Sequence, residues 1–146
     1  MTGLPWAYID TSMLVRRYVR EQGTAEAIRL TSHHRVVISA YGLLELTAAL
    51  HAKHRSGGLS STGLRTALAR AADERPWWTL VEVTPSILGR AEDVLGHAAA
   101  RAADALHIAS SLVFQESLGT PIPFLTADAK QRTDAEALGL HVHPFP

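Results

Sequence analysis

Trp6-Ala7-Tyr8-Ile9-Asp10-Thr11-Ser12-Met13-Leu14 decides the fold. The apolar run Trp6 to Ile9 has strand length, and Asp-Thr-Ser directly after it is helix-capping chemistry, so a strand here delivers its chain straight into a helix. The same grammar recurs downstream. The first helix is expected over about Met13 to Arg20, and Gln22-Gly23-Thr24 breaks it. Thr24 caps a second helix to about Ser32, and Val36 to Ser39 reads as a buried strand. A helix from Tyr41 to about Arg55 reverses at Ser56-Gly57-Gly58 and pairs as a hairpin with one that starts at Ser60 or Ser61 and ends near Glu74. Thr79 to Val83 alternates as a strand, and Pro85-Ser86 opens a helix through Leu95 that Gly96 ends. Helix from Ala102 to Leu118, strand from Pro123 to Thr126, helix from Ala129 to Leu138 and a weak strand at Val142 complete the reading.

Apolar strands alternating with helices define an α/β protein with a parallel sheet covered on both faces. The 146 residues suit one domain, 1–146, with neither repeat nor linker. Mean hydropathy near zero (+0.04) and 19% charged residues are globular composition. No window reaches the roughly 18 apolar residues of a membrane span, and the start lacks a secretion signal, so a cytoplasmic protein is expected. Zero cysteines exclude disulfides, thiolate metal sites and cysteine nucleophiles, leaving oxygen or imidazole for any metal. Fourteen basic residues balance fourteen acidic ones, so net charge does not point to nucleic acid, although twelve of the fourteen are arginine, the residue that forks onto phosphate.

Right-handed crossovers put the carboxyl ends of parallel strands on one edge, where sites gather. The first strand delivers Asp10, which as an isolated residue, like Ser12, would pass as a helix cap. The second leads to Glu45, whose helical neighbours Tyr41, Gly42, Ala48 and Ala49 are apolar or very small, a costly setting for an unpaired carboxylate. Asp104 lies in the apolar stretch Ala98 to Ala109, with Arg101 one turn earlier as an ordinary ion-pair partner. Asp128 follows the strand ending at Thr126, with Gln131 at capping-box spacing. Each acid has a plain structural role available, but their conjunction at one edge does not. Two carboxylates repel by about 4 kcal/mol at ~4 Å with an effective dielectric of ~20. A hard cation, Mg2+ or Mn2+, would neutralise such a cluster and support phosphodiester hydrolysis.

Four segments carry a family resemblance: Tyr8-Ile-Asp-Thr-Ser-Met-Leu14, Leu44-Glu45-Leu46, Arg101-Ala-Ala-Asp-Ala-Leu-His-Ile-Ala109 and Phe124-Leu-Thr-Ala-Asp128. In order and spacing, over essentially the whole chain, they resemble the signature segments of PIN-domain ribonucleases, most closely VapC-type toxins of bacterial toxin–antitoxin pairs. The most specific is Asp-Ala-Leu-His-Ile-Ala. The resemblance implies a three-layer α/β/α sandwich with a parallel sheet of order 3-2-1-4-5, a Mg2+ or Mn2+ site and an RNA substrate. It implies Asp10 and Asp104 as metal ligands, Glu45 as a ligand directly or through water, Asp128 completing the acidic cluster, and Ser12 orienting Asp10. A cognate antitoxin covering the groove and a homodimer contacting through helices also follow from the resemblance. Ala98-Ala-Ala100 departs from the bulkier approach to the third acid that the family would use.

His107, one turn after Asp104, reads as a core histidine bonded to backbone, with contact to substrate or metal as the alternative. The pairs His51/His54 and His141/His143 lack an evident third ligand and read as surface, and His33 and His34 suit a helix end. Trp77 and Trp78 point to opposite faces of an extended segment, one into the core and one to the rim. Arg16, Arg17 and Arg20 follow Asp10 and are candidates for holding phosphates, or plain helix surface. Setting the four site acids aside leaves fourteen bases against ten acids, a mild positive excess that suits a polyanion once metal is loaded. Two other classes compete: a metal-free binding protein on the same fold, its acids serving as caps and ion pairs, and a phosphatase or phospho-receiver using Asp10 as nucleophile. The phosphatase pattern wants a second Asp where Ser12 stands.

Overall fold

The computed structural model describes residues 3–145; Met1, Thr2 and Pro146, part of the 1–146 domain expectation, lie outside the described residues. The elements run β1 (Trp6–Ile9), α1 (Thr11–Tyr18), α2 (Thr24–Ser32), β2 (Arg35–Ser39), α3 (Ala40–Arg55), α4 (Ser61–Glu74), a short 3-10 turn (Arg75–Trp77), β3 (Thr79–Val81), α5 (Pro85–Leu95), α6 (Ala102–Leu118), β4 (Pro123–Leu125), α7 (Ala129–Ala137) and β5 (His141–Val142). All five strands are parallel, in the order β3-β2-β1-β4-β5. The fold is α/β, as expected.

Alternation along the central strands builds two cores. Ala7, Ile9, Val36 and Ile38 face one side and pack with Leu14, Leu30, Leu46, Leu50 and Leu64 from α1 to α4. Tyr8, Val37 and Phe124 face the other and pack with Ile87, Val94, Ile108 and Ala109 from α5 and α6 and with Ala135 from α7. Period-two side-chain placement on a twice-covered sheet thus produces the three layers. Helix starts follow capping chemistry: Ser39, Ser60 and Thr84 each accept a backbone N–H at the heads of α3, α4 and α5, and Pro85 opens α5. Gly119, at φ +74, ends α6 in the left-handed region.

Three local expectations are corrected. Helix α1 begins at Thr11 and ends at Tyr18, two residues earlier at each end than expected, because Val19 is already extended (φ −118). Gly23 rather than Thr24 caps α2, since the Thr24 hydroxyl turns back to the carbonyls of Val19 and Glu21. Strand β3 stops at Val81 rather than Val83, and the 3-10 turn before it was not foreseen. Trp78 packs against the α1–α4 core while Trp77 is 71% exposed, the division expected of the pair.

Candidate active site

The carboxyl ends of β1, β2 and β4 lead directly into α1, α3 and the Thr126–Asp128 segment, so this edge collects side chains from every part of the chain. Asp10 ends β1 and is 5% exposed. It stands at the N-cap of α1 yet makes no side-chain cap bond. Instead its Oδ2 accepts from the Ser12 hydroxyl at 3.0 Å and the Thr126 hydroxyl at 2.7 Å. Ser12 therefore does orient Asp10, and Thr126 is a second orienting group that sequence reading missed. Ser12 Oγ also accepts from the Ala127 N–H, and Thr126 Oγ1 from the Asp128 N–H, tying the loop after β4 to the end of β1.

Glu45, in the second turn of α3, is bonded through Oε1 to the Thr11 hydroxyl at 3.0 Å and His107 Nε2 at 2.5 Å. His107 is core-facing, 1% exposed, but its partners are side chains rather than backbone: Nδ1 lies 2.7 Å from the Tyr8 hydroxyl, and Asp10 Oδ1 is 3.8 Å from Nε2. Burial pushes the imidazole's proton affinity down, but the bond to Glu45 and the charges of Asp10, Glu45 and Asp104 outweigh it, holding its pKa above the ordinary histidine value. Burial and the neighbouring Asp10 hold the Tyr8 hydroxyl well above the usual tyrosine range. A tyrosine in a buried strand was the available signal for this network, since its hydroxyl must find a partner.

Asp104 sits in the first turn of α6, its Oδ2 3.6 Å from Nε of the exposed Arg101. Burial raises its pKa above the usual aspartate value; the charges of Asp10 and Asp128 add to this, and Arg101 and His107 oppose it. These carboxyls therefore feel one another. Asp128 caps α7, its Oδ1 accepting from the N–H groups of Lys130 and Gln131. The capping box is not closed: the Gln131 amide instead donates to the Asp104 carbonyl at 3.0 Å, joining α7 to the head of α6.

Arg16 donates to the carbonyls of Ser12 and Gln22 and has Glu21 4.0 Å from its Nε. Arg17 is paired with Glu74, at 2.7 Å, and with Thr31, which corrects its candidacy for phosphate. A cavity of about 440 Å3 beside that pair opens near Arg35 and Thr79, which begin β2 and β3, and is lined by none of the four acids. His33, His34 and His54 bond to backbone carbonyls through Nδ1, in keeping with a surface role.

The four acids offer oxygen donors only, the kind a hard cation takes. Asp10 Oδ1, Glu45 Oε2, both carboxyl oxygens of Asp104 and Asp128 Oδ2 take no hydrogen bond among the described residues, while the opposite oxygens of Asp10, Glu45 and Asp128 are anchored. Anchored carboxylates that keep an unbonded oxygen suit oxygen-only ligation. Among the described residues, however, no group of three or more His, Asp or Glu side chains is already arranged to hold a metal ion.

Residues 7–134 match the family model described as the PIN domain, and the chain belongs to that family. PIN domains are generally nucleases and generally use divalent metals. No curated protein matches the chain. Among solved structures, FitAcB from Neisseria gonorrhoeae is similar at 16% identity over 94% of this chain and 96% of that one, with a TM-score of 0.69. VapC20 from Mycobacterium tuberculosis, described as a Sarcin-Ricin loop cleaving toxin, is 20% identical over 96% and 99% of the two chains, with a TM-score of 0.66. PAE2754 from Pyrobaculum aerophilum is 18% identical over 97% and 92%, with a TM-score of 0.59. At these identities the likeness is one of fold. No helix among the described residues is long and apolar enough to cross a membrane.

Proposed function

We propose that residues 1–146 act as one PIN domain, a Mg2+- or Mn2+-dependent endoribonuclease that serves in the cytoplasm as the toxin of a type II toxin–antitoxin pair. The observation that carries this reading is that four carboxylates, delivered by separate elements, each keep an oxygen without a hydrogen bond among the described residues, while burial and the charges of Asp10 and Asp128 bear on Asp104. Asp10 and Asp104 would ligate the ion, Glu45 would do so directly or through water, and Asp128 completes the cluster. A bound ion would supply a more acidic water as nucleophile and positive charge against the phosphate oxygens. The chain's own part is to hold Asp10 by Ser12 and Thr126 and to hold Glu45 by Thr11 and His107.

RNA as substrate is supported by the likeness to VapC20, and a cognate antitoxin covering the acidic edge by the likeness to VapC-type toxins. A homodimer through helices is supported by apolar surface on α3 and α5, where Tyr41, Leu44, Leu88 and Leu95 are exposed. A second reading, an inactive PIN-fold binding protein, is favoured by the Asp128 cap and by the lack of a ready three-ligand group among the described residues.

Cleavage of RNA by the purified chain with Mn2+ separates the two readings. Asp10→Asn, Glu45→Gln, Asp104→Asn and Asp128→Asn are each expected to lower the rate by about 100-fold or more while circular dichroism stays that of the parent. Parent-like cleavage by Asp104→Asn would defeat the nuclease mechanism.

A further inference from the structure

We propose that Tyr8 and His107 are positioning residues that form a buried strut setting the orientation of Glu45, and through it the site's affinity for a divalent ion. The inference rests on the reading of Glu45 given under the proposed function. Its geometry crosses three parts of the fold. The backbone N–H of Ser39, the last residue of β2, donates to the Tyr8 hydroxyl on β1 at 3.0 Å. That hydroxyl meets His107 Nδ1 on α6 at 2.7 Å, and His107 Nε2 meets Glu45 Oε1 on α3 at 2.5 Å. Because α3 follows Ser39 directly, the strut begins and ends on the same β2–α3 unit, with β1 and α6 between.

Each link is constrained. The Tyr8 ring is fully buried and stacked on Phe124, with centroids 5.4 Å apart and planes 2° from parallel, which fixes where its hydroxyl stands. A carboxylate oxygen has no hydrogen to give, so Nε2 is the donor to Glu45, and Nδ1 is left for the Tyr8 hydroxyl. Gly42 packs beside the imidazole: a Cβ there would collide with Ile38, at 2.6 Å from its Cδ1, and would press on His107 Cε1 at 3.3 Å. The Thr11 hydroxyl reaches the same Glu45 oxygen at 3.0 Å, so Oε1 is held from two sides and Oε2 takes no hydrogen bond among the described residues. A histidine serving only the core would satisfy itself on backbone carbonyls, as His33 and His34 do at the surface; this one gives both nitrogens to side chains, one of them a site acid.

The test is Mn2+ binding by the full chain, read by electron paramagnetic resonance without RNA and set beside melting temperatures. His107→Leu is expected to weaken Mn2+ binding about 10–100-fold, the effect of losing a group that orients a ligand. His107→Gln, whose amide can still donate to Glu45, should recover most of that loss. Tyr8→Phe keeps the stacked ring and should weaken binding about two- to tenfold, the equivalent of one buried hydrogen bond; it carries the test if His107→Leu does not fold. Leu30→Ala, in the other core, should lower the melting temperature and leave Mn2+ affinity unchanged. Parent-like affinity in both His107→Leu and Tyr8→Phe overturns the strut. So does a His107→Gln variant as weak as His107→Leu, or a Leu30→Ala loss as large as theirs. A parent whose Mn2+ binding survives Asp10→Asn, or is absent, overturns the site reading itself and the strut with it.

Discussion

Asp10 and Asp104 are the same residue type in unequal circumstances. Asp10 is buried under two hydroxyl donors, whereas the Asp104 carboxyl accepts no hydrogen bond among the described residues and lies within reach of other negative charge. Burial and Asp10 hold the folded pKa of Asp104 above the ordinary 3.8. A raised carboxyl favours the folded state below its unfolded pKa, and that benefit is lost as pH rises through the folded value. Ionised Asp104 is therefore a liability at neutral pH without metal. Asp104→Asn should melt higher than the parent at pH 7 in chelator, by up to about 4 °C because the carboxyl is only half-buried. The advantage should vanish as pH falls below 3.8, and a lower melting point at pH 7 would refute the assignment. The acids themselves were legible because charge in an apolar setting stands out along the chain. The groups that hold them were not: Thr126 meets Asp10 across 116 positions and Tyr8 meets His107 across 99, distances at which sequence periodicity says nothing.

Helices were legible where capping and turn residues punctuate them, which is why α5 and α6 begin and end where their sequence signals stand. Side-chain direction between helices was not. Arg17 and Tyr18 of α1 both reach Glu74 at the end of α4, at 2.7 and 2.6 Å, an attachment between residues 57 and 56 positions apart. Burial would raise the Glu74 carboxyl, but the bonds from Arg17 and Tyr18 outweigh it and hold it below the ordinary 4.5. A lowered carboxyl contributes stability above its unfolded pKa and loses it as pH falls through the folded value. Glu74→Ala should cost about 1–2 kcal/mol in urea unfolding at pH 7, after allowance for solvent screening, and progressively less below pH 4.5. An unchanged stability at pH 7 would mean that the α1–α4 attachment is ornamental.

Across the whole molecule, the α/β class followed from apolar runs alternating with helices and the strand order from the family likeness alone, while the short edge strands β3 and β5 were less legible, with so few buried residues to mark their limits. The exposed apolar surface of α3 and α5 surrounds a groove of about 310 Å3 that includes Tyr41, Leu88 and Leu95. If two copies meet there, the parent sediments as a dimer and Leu88→Arg as a monomer at the same concentration; a monomeric parent would remove the dimer from the proposal. The central position of β1 also orders events during synthesis. Its neighbour β4 begins 117 residues further along, at Pro123, and the hydroxyl of Thr126 completes the grip on Asp10. A ribosome emits Asp10 a full 116 residues before Thr126. A growing polypeptide therefore lacks part of this grip until Thr126 has emerged, so a chain released before that point does not have the Asp10 setting on which the proposed chemistry depends.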